Sequence, residues 1–451
     1  MSFWRPIIGL EVHVELNTKA KMFCRCSARH FGRKPNVHTC PVCLGLPGAL
    51  PVPNIEGIKR AILIALALGA RINKDFWFDR KNYFYPDLPK GFQISQHFKP
   101  IGLGGQVPIL IKGKEKNIAL DNIHLEEDTG KLIHKENESL VDFNRSGVPL
   151  VEIVTQPVLS SGLEAKLYLQ RLQQALRYLG VSDCDMEKGS MRLEANISVK
   201  DETLPVGRQE LIMKNDKLPD YKVEIKNLNS FKFVQKAINY EIQRQIRILE
   251  KSKQPQQETR GFDLKKGITF SQRSKEAAKD YRYFPEPDIP PFKFSKKEIE
   301  KIKKRLPKLP WEWEEEMIKM GVARTWVKTI TKSKKLSKLF METAVLGKAE
   351  GIEPDQLAKY LVNRPALRKE PPEIIIKKIK TDLSKFSLEL KEIKKYITQA
   401  LKEQPGAVGD FKNGKVQVLG FLIGQVQAKA KGKADPKITA AEIIKQIKNG
   451  A

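Results

Sequence analysis

Residues Ile7-Ile8-Gly9-Leu10-Glu11-Val12-His13-Val14-Glu15-Leu16 alternate apolar and polar side chains for most of their length, and no other feature constrains the fold as strongly. Successive side chains of a strand point to opposite faces, so Glu11, His13 and Glu15 share the face opposite Ile8, Leu10, Val12 and Val14. Three later segments repeat the device: His124-Leu125-Glu126-Glu127-Asp128, Arg192-Leu193-Glu194-Ala195-Asn196-Ile197-Ser198-Val199 and Lys222-Val223-Glu224-Ile225-Lys226. They set Glu126, Glu194, Asn196 and Glu224 opposite apolar neighbours, so pairing of these strands brings carboxylates together. Close carboxylates resist ionising together without a cation, and a hard ion such as Mg2+ takes oxygen ligands. Mg2+ in turn implies phosphate. Any one of these strands alone also reads as the solvated face of an antiparallel sheet.

At 451 residues the chain exceeds one ordinary core, and two or three domains are expected. Its formal charge of +28 points to a polyanionic partner, RNA or DNA. Residues 291–451 hold 36 basic and 19 acidic side chains, which makes the C-terminal third the expected nucleic-acid surface. The start Met1-Ser2-Phe3-Trp4-Arg5-Pro6 lacks the charged and apolar regions of a secretory signal. The longest apolar stretch, Ala61 to Leu68, is far short of a membrane span, so the expectation is a soluble, cytoplasmic protein with no membrane partner.

Four of the five cysteines form Cys24-x-Cys26 and Cys40-x-x-Cys43, a pair-of-pairs spacing suited to a closed, tetrahedral structural Zn2+ site. A disulfide framework is the competing reading, disfavoured in a cytosolic chain and leaving Cys184 over. His30 and His38 lie inside the loop as substitute ligands, although four thiolates complete the shell.

Asn54 is positioned to cap a helix ending at Gly69. The pair Ser161-x-x-Glu164 opens a second, carrying Leu163, Leu167, Leu172, Leu176 and Leu179 before Gly180. A third runs from about Phe231 to Lys253. Residues 72–160 read as short strands and turns, and no G-x-x-x-x-G-K-[ST] occurs anywhere, so a nucleotide must be held without a Walker loop. Pro285-Glu286-Pro287-Asp288-Ile289-Pro290-Pro291 marks a stiff break before a Lys-rich helical region. There Phe386, Leu390, Ile393, Ile397 and Leu401 form one amphipathic face, Gly406–Lys415 reads as a loop, and Phe421-Leu422-Ile423-Gly424 opens a further helix.

These residues are carried by longer motifs. They include Asp79-Arg80-Lys81-Asn82-Tyr83-Phe84-Tyr85-Pro86-Asp87, Gln93-Ile94-Ser95-Gln96, Glu224-Ile225-Lys226-Asn227-Leu228-Asn229-Ser230 and Asp280-Tyr281-Arg282-Tyr283-Phe284-Pro285. With Ile8–Val14 and His124–Asp128, and in this order, they closely resemble the B-subunit family of bacterial glutamyl/aspartyl-tRNA amidotransferases. The tail, Gly420-Phe421-Leu422-Ile423-Gly424-Gln425-Val426 and Lys431-Gly432-Lys433-Ala434-Asp435-Pro436, is similar to that family's tRNA-binding tail.

The resemblance implies an α+β chain. A mainly antiparallel-sheet cradle domain over 1–292, with a zinc loop at about 24–43, precedes an all-α domain over 293–385 and a small α-helical tail over 386–451. It implies a carbon–nitrogen ligase of protein biosynthesis that binds ATP and Mg2+ and phosphorylates the side-chain carboxylate of misacylated Glu-tRNA(Gln) or Asp-tRNA(Asn). The acyl phosphate then passes to ammonia made from glutamine by a separate amidase (A) subunit, with a small C subunit completing a heterotrimer. The metal shell it implies is Glu11, His13, Glu126, Glu127 and Glu224, with His13, Glu126 and Glu224 catalytic; Glu127 joins only through a bulge. Lys81, Tyr83, Tyr85, Asn144, Arg145, Arg192 and Lys226 are candidates for nucleotide or aminoacyl-end contacts.

Three departures stand out. Glu194 occupies a position where the family usually has Asp, Asp220-Tyr221 replaces a usual Gly-Thr, and the stretch from about Asn363 to Phe386 is short. The competing function is a noncatalytic zinc protein that only binds tRNA, against which stand the carboxylates gathered beside an RNA phosphate site.

Overall fold

The computed structural model describes residues 4–202, 218–274, 281–384 and 388–448. Two compact units divide the chain, Met1–Trp311 and Glu312–Ala451. The alternating N-terminal segment forms strand β1 (Trp4–Glu15), whose Ile8, Leu10, Val12 and Val14 are fully buried. Further strands are β2 (Asp79–Asn82), β3 (Phe92–Ser95), β4 (Lys114–Glu127), β5 (Pro149–Thr155) and β6 (Met191–Asp201). The last are β7 (Val223–Ile225), β8 (Glu258–Asp263) and β9 (Ile268–Ser274). A ten-stranded sheet runs β9-β8-β7-β6-β1-β5-β4 and on to two short strands at 102–103 and 71–72, with 106–111 also paired to β4.

The pairing is antiparallel except between β7 and β8, where Glu224 lies opposite Thr259 in a parallel pair. The expected α+β class is therefore met with a mixed sheet. The small hairpin of β2 and β3 stands outside this sheet.

Three helices, α1 (Ile55–Ala67), α2 (Gly162–Leu179) and α3 (Phe231–Leu249), contribute to the same core as the apolar sheet face. Asn54 caps α1 by accepting from the Glu56 and Gly57 amides, and Gly69 beyond its end has φ 71°. Ser161 caps α2 by accepting from the Glu164 amide, but the Glu164 carboxylate turns to the Ser160 amide and to Lys116, so the expected capping box is only half formed. The buried stripe of α2 runs through Ala165, Tyr168, Leu169, Leu172 and Leu176, while Leu163 is 38% exposed.

The break expected at 292 falls inside the first unit, because Ile302 of the helix Lys296–Lys303, with Leu306 and Trp311, packs on the first core. The second unit holds two apolar clusters, one spanning Met317 to Ile379 and one Ile393 to Ile447. Its stretch Gly406–Lys415 is not the expected loop: Pro405–Lys412 is a helix with Pro405 at its first position, where a missing N–H costs nothing. In the helix Leu390–Glu403, Ile393, Ile397 and Leu401 are buried and Leu390 is exposed; Phe386 lies outside the described residues. No helix among the described residues is long and apolar enough to cross a membrane.

Gly162 lets α2 approach α3 closely: a Cβ there would sit 2.5 Å from the Gln235 carbonyl oxygen and 2.6 Å from Asn239 Oδ1. Gly162→Ala is expected to push the helices apart at a cost of about 1–3 kcal/mol, measured as a lowered denaturant midpoint of the first unit's unfolding transition. Gly189→Ala, with no atom within 4 Å of its Cβ position but φ 80°, tests backbone strain alone and is expected to cost less.

Candidate active site

Strand register decides what meets on the open face of the sheet. Opposite His13 lie Glu152 on β5 and Arg192 on β6, and opposite Glu152 lies His124 on β4. His124, Glu152, His13 and Arg192 thus form one row across four adjacent strands, and Glu126 stands one step along β4. His13 Nε2 is 3.3 Å from Glu152 and 3.6 Å from Glu126, and His124 Nε2 is 3.0 Å from Glu152. One ligand atom each from His13, Glu126 and Glu152 fits within 4.8 Å of the others, a spacing that a metal ion can bridge.

The electrostatics are those of crowded, buried charges. Burial, then the neighbouring Glu152 carboxylate, raises the Glu126 carboxyl above its ordinary value. Burial also pushes Glu152 upward, yet the His13 and His124 imidazoles outweigh it and hold Glu152 well below the usual carboxylate range. The same pairing carries His13 against burial up to about 9. Lys81 is also raised, its burial outweighed first by Glu126. Two carboxylates and an imidazole in a dry setting, balanced by the His124 imidazole and Lys81, form a donor set that fits a hard divalent ion.

Glu152 and His124 escaped assignment in the sequence. The available signal was a single carboxylate in the otherwise apolar strand Pro149-Leu150-Val151-Glu152-Ile153-Val154-Thr155, where solvation gives no reason for it.

Glu11 and Glu224 lie on the same face but in a second group. Asn196 Nδ2 donates to Glu11 at 2.8 Å, Thr259 Oγ1 donates to Glu224 at 2.8 Å, and Lys226 Nζ reaches Glu194 at 2.6 Å and Glu224 at 3.3 Å. Glu194 is pushed up to about 7 by burial and then by a proton shared with Glu224. A cavity of about 370 Å³ opens beside this group, lined by Glu11, Asn196, Ser198, Tyr221 and Lys222 among others.

Glu127 does not join either group. The strand stays regular, with Glu126 opposite Leu150 and Glu127 opposite Pro149, so Glu127 turns to the other face. There it pairs with Lys90 and accepts from the Ile94 amide at 3.0 Å. The β2–β3 hairpin instead supplies Ser95, whose Oγ donates to Glu126 at 3.2 Å, and Lys81, whose Nζ is 4.9 Å from the Tyr281 ring centroid. Tyr83, Tyr281 and Tyr283 stand edge to face in sequence around Lys81, and His97 stacks on Tyr283 at 4.0 Å. Tyr85 is apart from them and 53% exposed.

Three other candidates are occupied structurally. Asn144 accepts from the His38 amide at 2.7 Å and donates to the Lys34 carbonyl at 2.7 Å. Arg145 donates to the carbonyls of Thr129 and Gly130 at 3.0 and 2.7 Å. Arg192 donates to Asp128 at 2.6 Å, and burial notwithstanding, Arg145 and Arg192 hold Asp128 well below the carboxylate range.

One sulfur from each of Cys24, Cys26, Cys40 and Cys43 lies within 4.8 Å of the others. Thiolates about 2.3 Å from a tetrahedral Zn2+ need only slightly closer contact, so the four fit the ion. Cys43 Sγ accepts from the Cys40 amide at 3.2 Å and from Lys21 Nζ at 3.5 Å, donors that offset thiolate charge. His30 is not a substitute ligand: its Nε2 bonds Glu15 at 2.9 Å.

Comparison with known proteins gives the family. Residues 6–300 match the family model described as the GatB/GatE catalytic domain, and residues 327–447 match the one described as the GatB domain. The chain belongs to the GatB family. It is 41% identical to the B subunit of the aspartyl/glutamyl-tRNA(Asn/Gln) amidotransferase of Thermotoga maritima, covering 99% of each chain. Against the same-named protein of Persephonella marina identity is 42%, over 96% of this chain and 98% of the other; against that of Thermoanaerobacter pseudethanolicus it is 41%, over 98% and 99%. The Thermotoga maritima alignment extends over 496 positions against 451 residues here, so it leaves gaps opposite this chain.

A proton on His13 competes with a metal ion. Because His13 sits raised to about 9, Mn2+ used as a probe is expected to bind more tightly as pH rises from 7 to 9, by up to about tenfold per unit, with a proton released on binding. The sign follows from the raised value: the protonated form is favoured below it and lost above. Isothermal titration in two buffers of different ionisation enthalpy measures both effects, and a His13→Gln variant is expected to bind weakly with little pH dependence.

Proposed function

We propose that this chain is the tRNA-dependent kinase and transamidase subunit of a cytoplasmic amidotransferase, working with a glutamine-hydrolysing amidase subunit and a small third subunit. Its substrates are ATP and tRNA carrying glutamate or aspartate in place of the amide. The observation that carries this reading is the largely buried His13–Glu126–Glu152 cluster on the face of a sheet whose family is that of amidotransferase B subunits.

In this reading His13, Glu126 and Glu152 hold a divalent cation, with Glu11 and Glu224 reaching the same substrate from the neighbouring group. The bound cation spreads the charge of the phosphoryl group in transfer. The side-chain carboxylate oxygen of the aminoacyl group attacks the γ-phosphorus and ADP leaves; ammonia then attacks the acyl carbon and phosphate leaves. No side chain of this protein is consumed, so its part is positioning and charge. Lys81, kept cationic beside Glu126, offsets phosphate charge, and the Tyr83–Tyr281–Tyr283 rings limit water around it. Glu194, poised at about 7 beside Lys226, is placed to accept a proton as the ammonia nitrogen becomes an amide. The four cysteines hold structural Zn2+, and the Lys-rich second unit supplies backbone contacts to tRNA.

The test uses the chain assembled with its amidase and third subunit, and reads ATP hydrolysis with and without Glu-tRNA. Stimulated hydrolysis is expected in the wild type. In Glu126→Ala and Glu152→Ala it is expected to fall by on the order of a hundredfold or more, with tRNA affinity changed less than about twofold. Tight tRNA binding without stimulated hydrolysis in the wild type would point instead to a noncatalytic zinc protein that binds tRNA.

A further inference from the structure

The zinc loop does more than brace the fold. Residues 16–55 contain no Asp or Glu, yet they carry Lys19, Lys21, Arg25, Arg29, Arg33 and Lys34. Lys21 is buried, held by the Cys43 sulfur and the Phe143 carbonyl; the other five are exposed. None of those five forms an ion pair among the described residues, whereas many of the cations of the sheet region are paired. A cation without a counter-ion on an acid-free segment keeps its full field for a polyanion.

The loop is also fixed and aimed. Asn36 donates from its amide to Asp142 and accepts from the Phe143 amide, Asn144 ties down Lys34 and His38, and the four cysteines close the centre. His30 reaches Glu15, which shares its strand face with His13 two residues away, so the loop meets the reactive face at that end. Arg29 and Phe31 flank His30 directly. Phe31 is 64% exposed, a large ring that the core does not claim, with Lys188 Nζ 5.7 Å from its centre. The turn nearby carries Asp183, Asp185 and Glu187, of which Lys188 offsets part, lying 3.7 Å from Asp183 and 3.4 Å from Asp185, so Phe31 stands between this turn and the basic loop.

We propose that Arg25, Arg29, Arg33 and Lys34 with Phe31 form the docking surface for the single-stranded 3′ end of the substrate tRNA. The cations take the backbone phosphates and the ring stacks on an unpaired base. This rests on the reading of the chain as a tRNA-acting subunit. The occupant follows from chemistry: the reacting carboxylate is carried on the 3′ terminal nucleotide, so the strand bearing it must pass the rim of the His13–Glu126–Glu152 cluster. Single-stranded nucleic acid is held by a basic track with aromatic stacking platforms, the two elements present here.

The experiment measures binding of uncharged tRNA, of an RNA hairpin with a single-stranded 3′ end, and of the same stem with a blunt end, to the full chain across a salt series. The wild type is expected to prefer the overhanging hairpin. Phe31→Ala is expected to lower that preference about tenfold while leaving blunt-hairpin binding unchanged. Arg29→Gln/Arg33→Gln/Lys34→Gln is expected to weaken overhang binding and to reduce the salt slope by about two to three. Zinc content and melting temperature equal to wild type show that the variants fold. Unchanged affinity and slope in these variants overturn the proposal and leave the enzymatic reading standing; a wild type that binds no tRNA overturns both. Loss of assembly with the amidase subunit at unchanged RNA affinity overturns it too, and marks the loop as a protein interface.

Discussion

The structure depends on keeping ionised carboxylates dry on one face of a sheet whose other face is the core. Glu126, Glu152 and Glu224 are each at most 9% exposed, and each isolated charge at such depth is costly. The sheet solves this through register. His13 and His124 are placed on either side of Glu152 by antiparallel pairing, and Lys226 is placed between Glu194 and Glu224. A one-residue slip of β1 against β5 would turn His13 into the core and Val12 or Val14 into the site, so the buried apolar face enforces the register that the charges need.

The surrounding loops serve that same face. Asp128 at the end of β4 holds Arg192 and lies near Arg145, and Arg145 in turn clamps the Thr129 and Gly130 carbonyls. Arg192 is thereby held in the row beside His13 without facing outward to a nucleotide. On the other side Glu15, buried with Oε1 unpartnered, is bound by His30 from the zinc loop. The cysteine loop thus fixes, through the His30 imidazole, the strand end two residues from His13.

Much of this was legible because strand periodicity is a local signal. Glu11, His13, Glu126, Glu194 and Glu224 were correctly put on polar faces, and the four cysteines gather as their spacing suggests. What the sequence could not show was which of those faces come level. Register between strands more than a hundred residues apart separates Glu11 and Glu224 from the His13 cluster and brings in Glu152, whose strand has no polar alternation at all. Asn144, Arg145 and Arg192 looked available for a ligand, but their partners are backbone carbonyls, an amide and a buried aspartate that only tertiary folding supplies. The Gly-rich stretch near 406 read as a loop because Gly and Pro are weak helix formers, yet Pro at a helix start is tolerated, and Ala407, Val408 and Phe411 pack on the tail core.

Glu194 shows how one methylene matters in this setting. Its strand position is level with Glu11, and its carboxylate extends to Lys226 at 2.6 Å while sharing a proton with Glu224. An aspartate, expected there from the resemblance, would withdraw the carboxylate by about 1.5 Å. The Lys226 contact would then lengthen beyond a hydrogen bond, leaving Lys226 nearer to Glu224 alone. With the longer side chain, Lys226 is divided between two acids and one of them keeps its proton near neutrality. The pair therefore carries one negative charge against one positive charge, a neutral group beside the cavity that opens at Glu11 and Asn196.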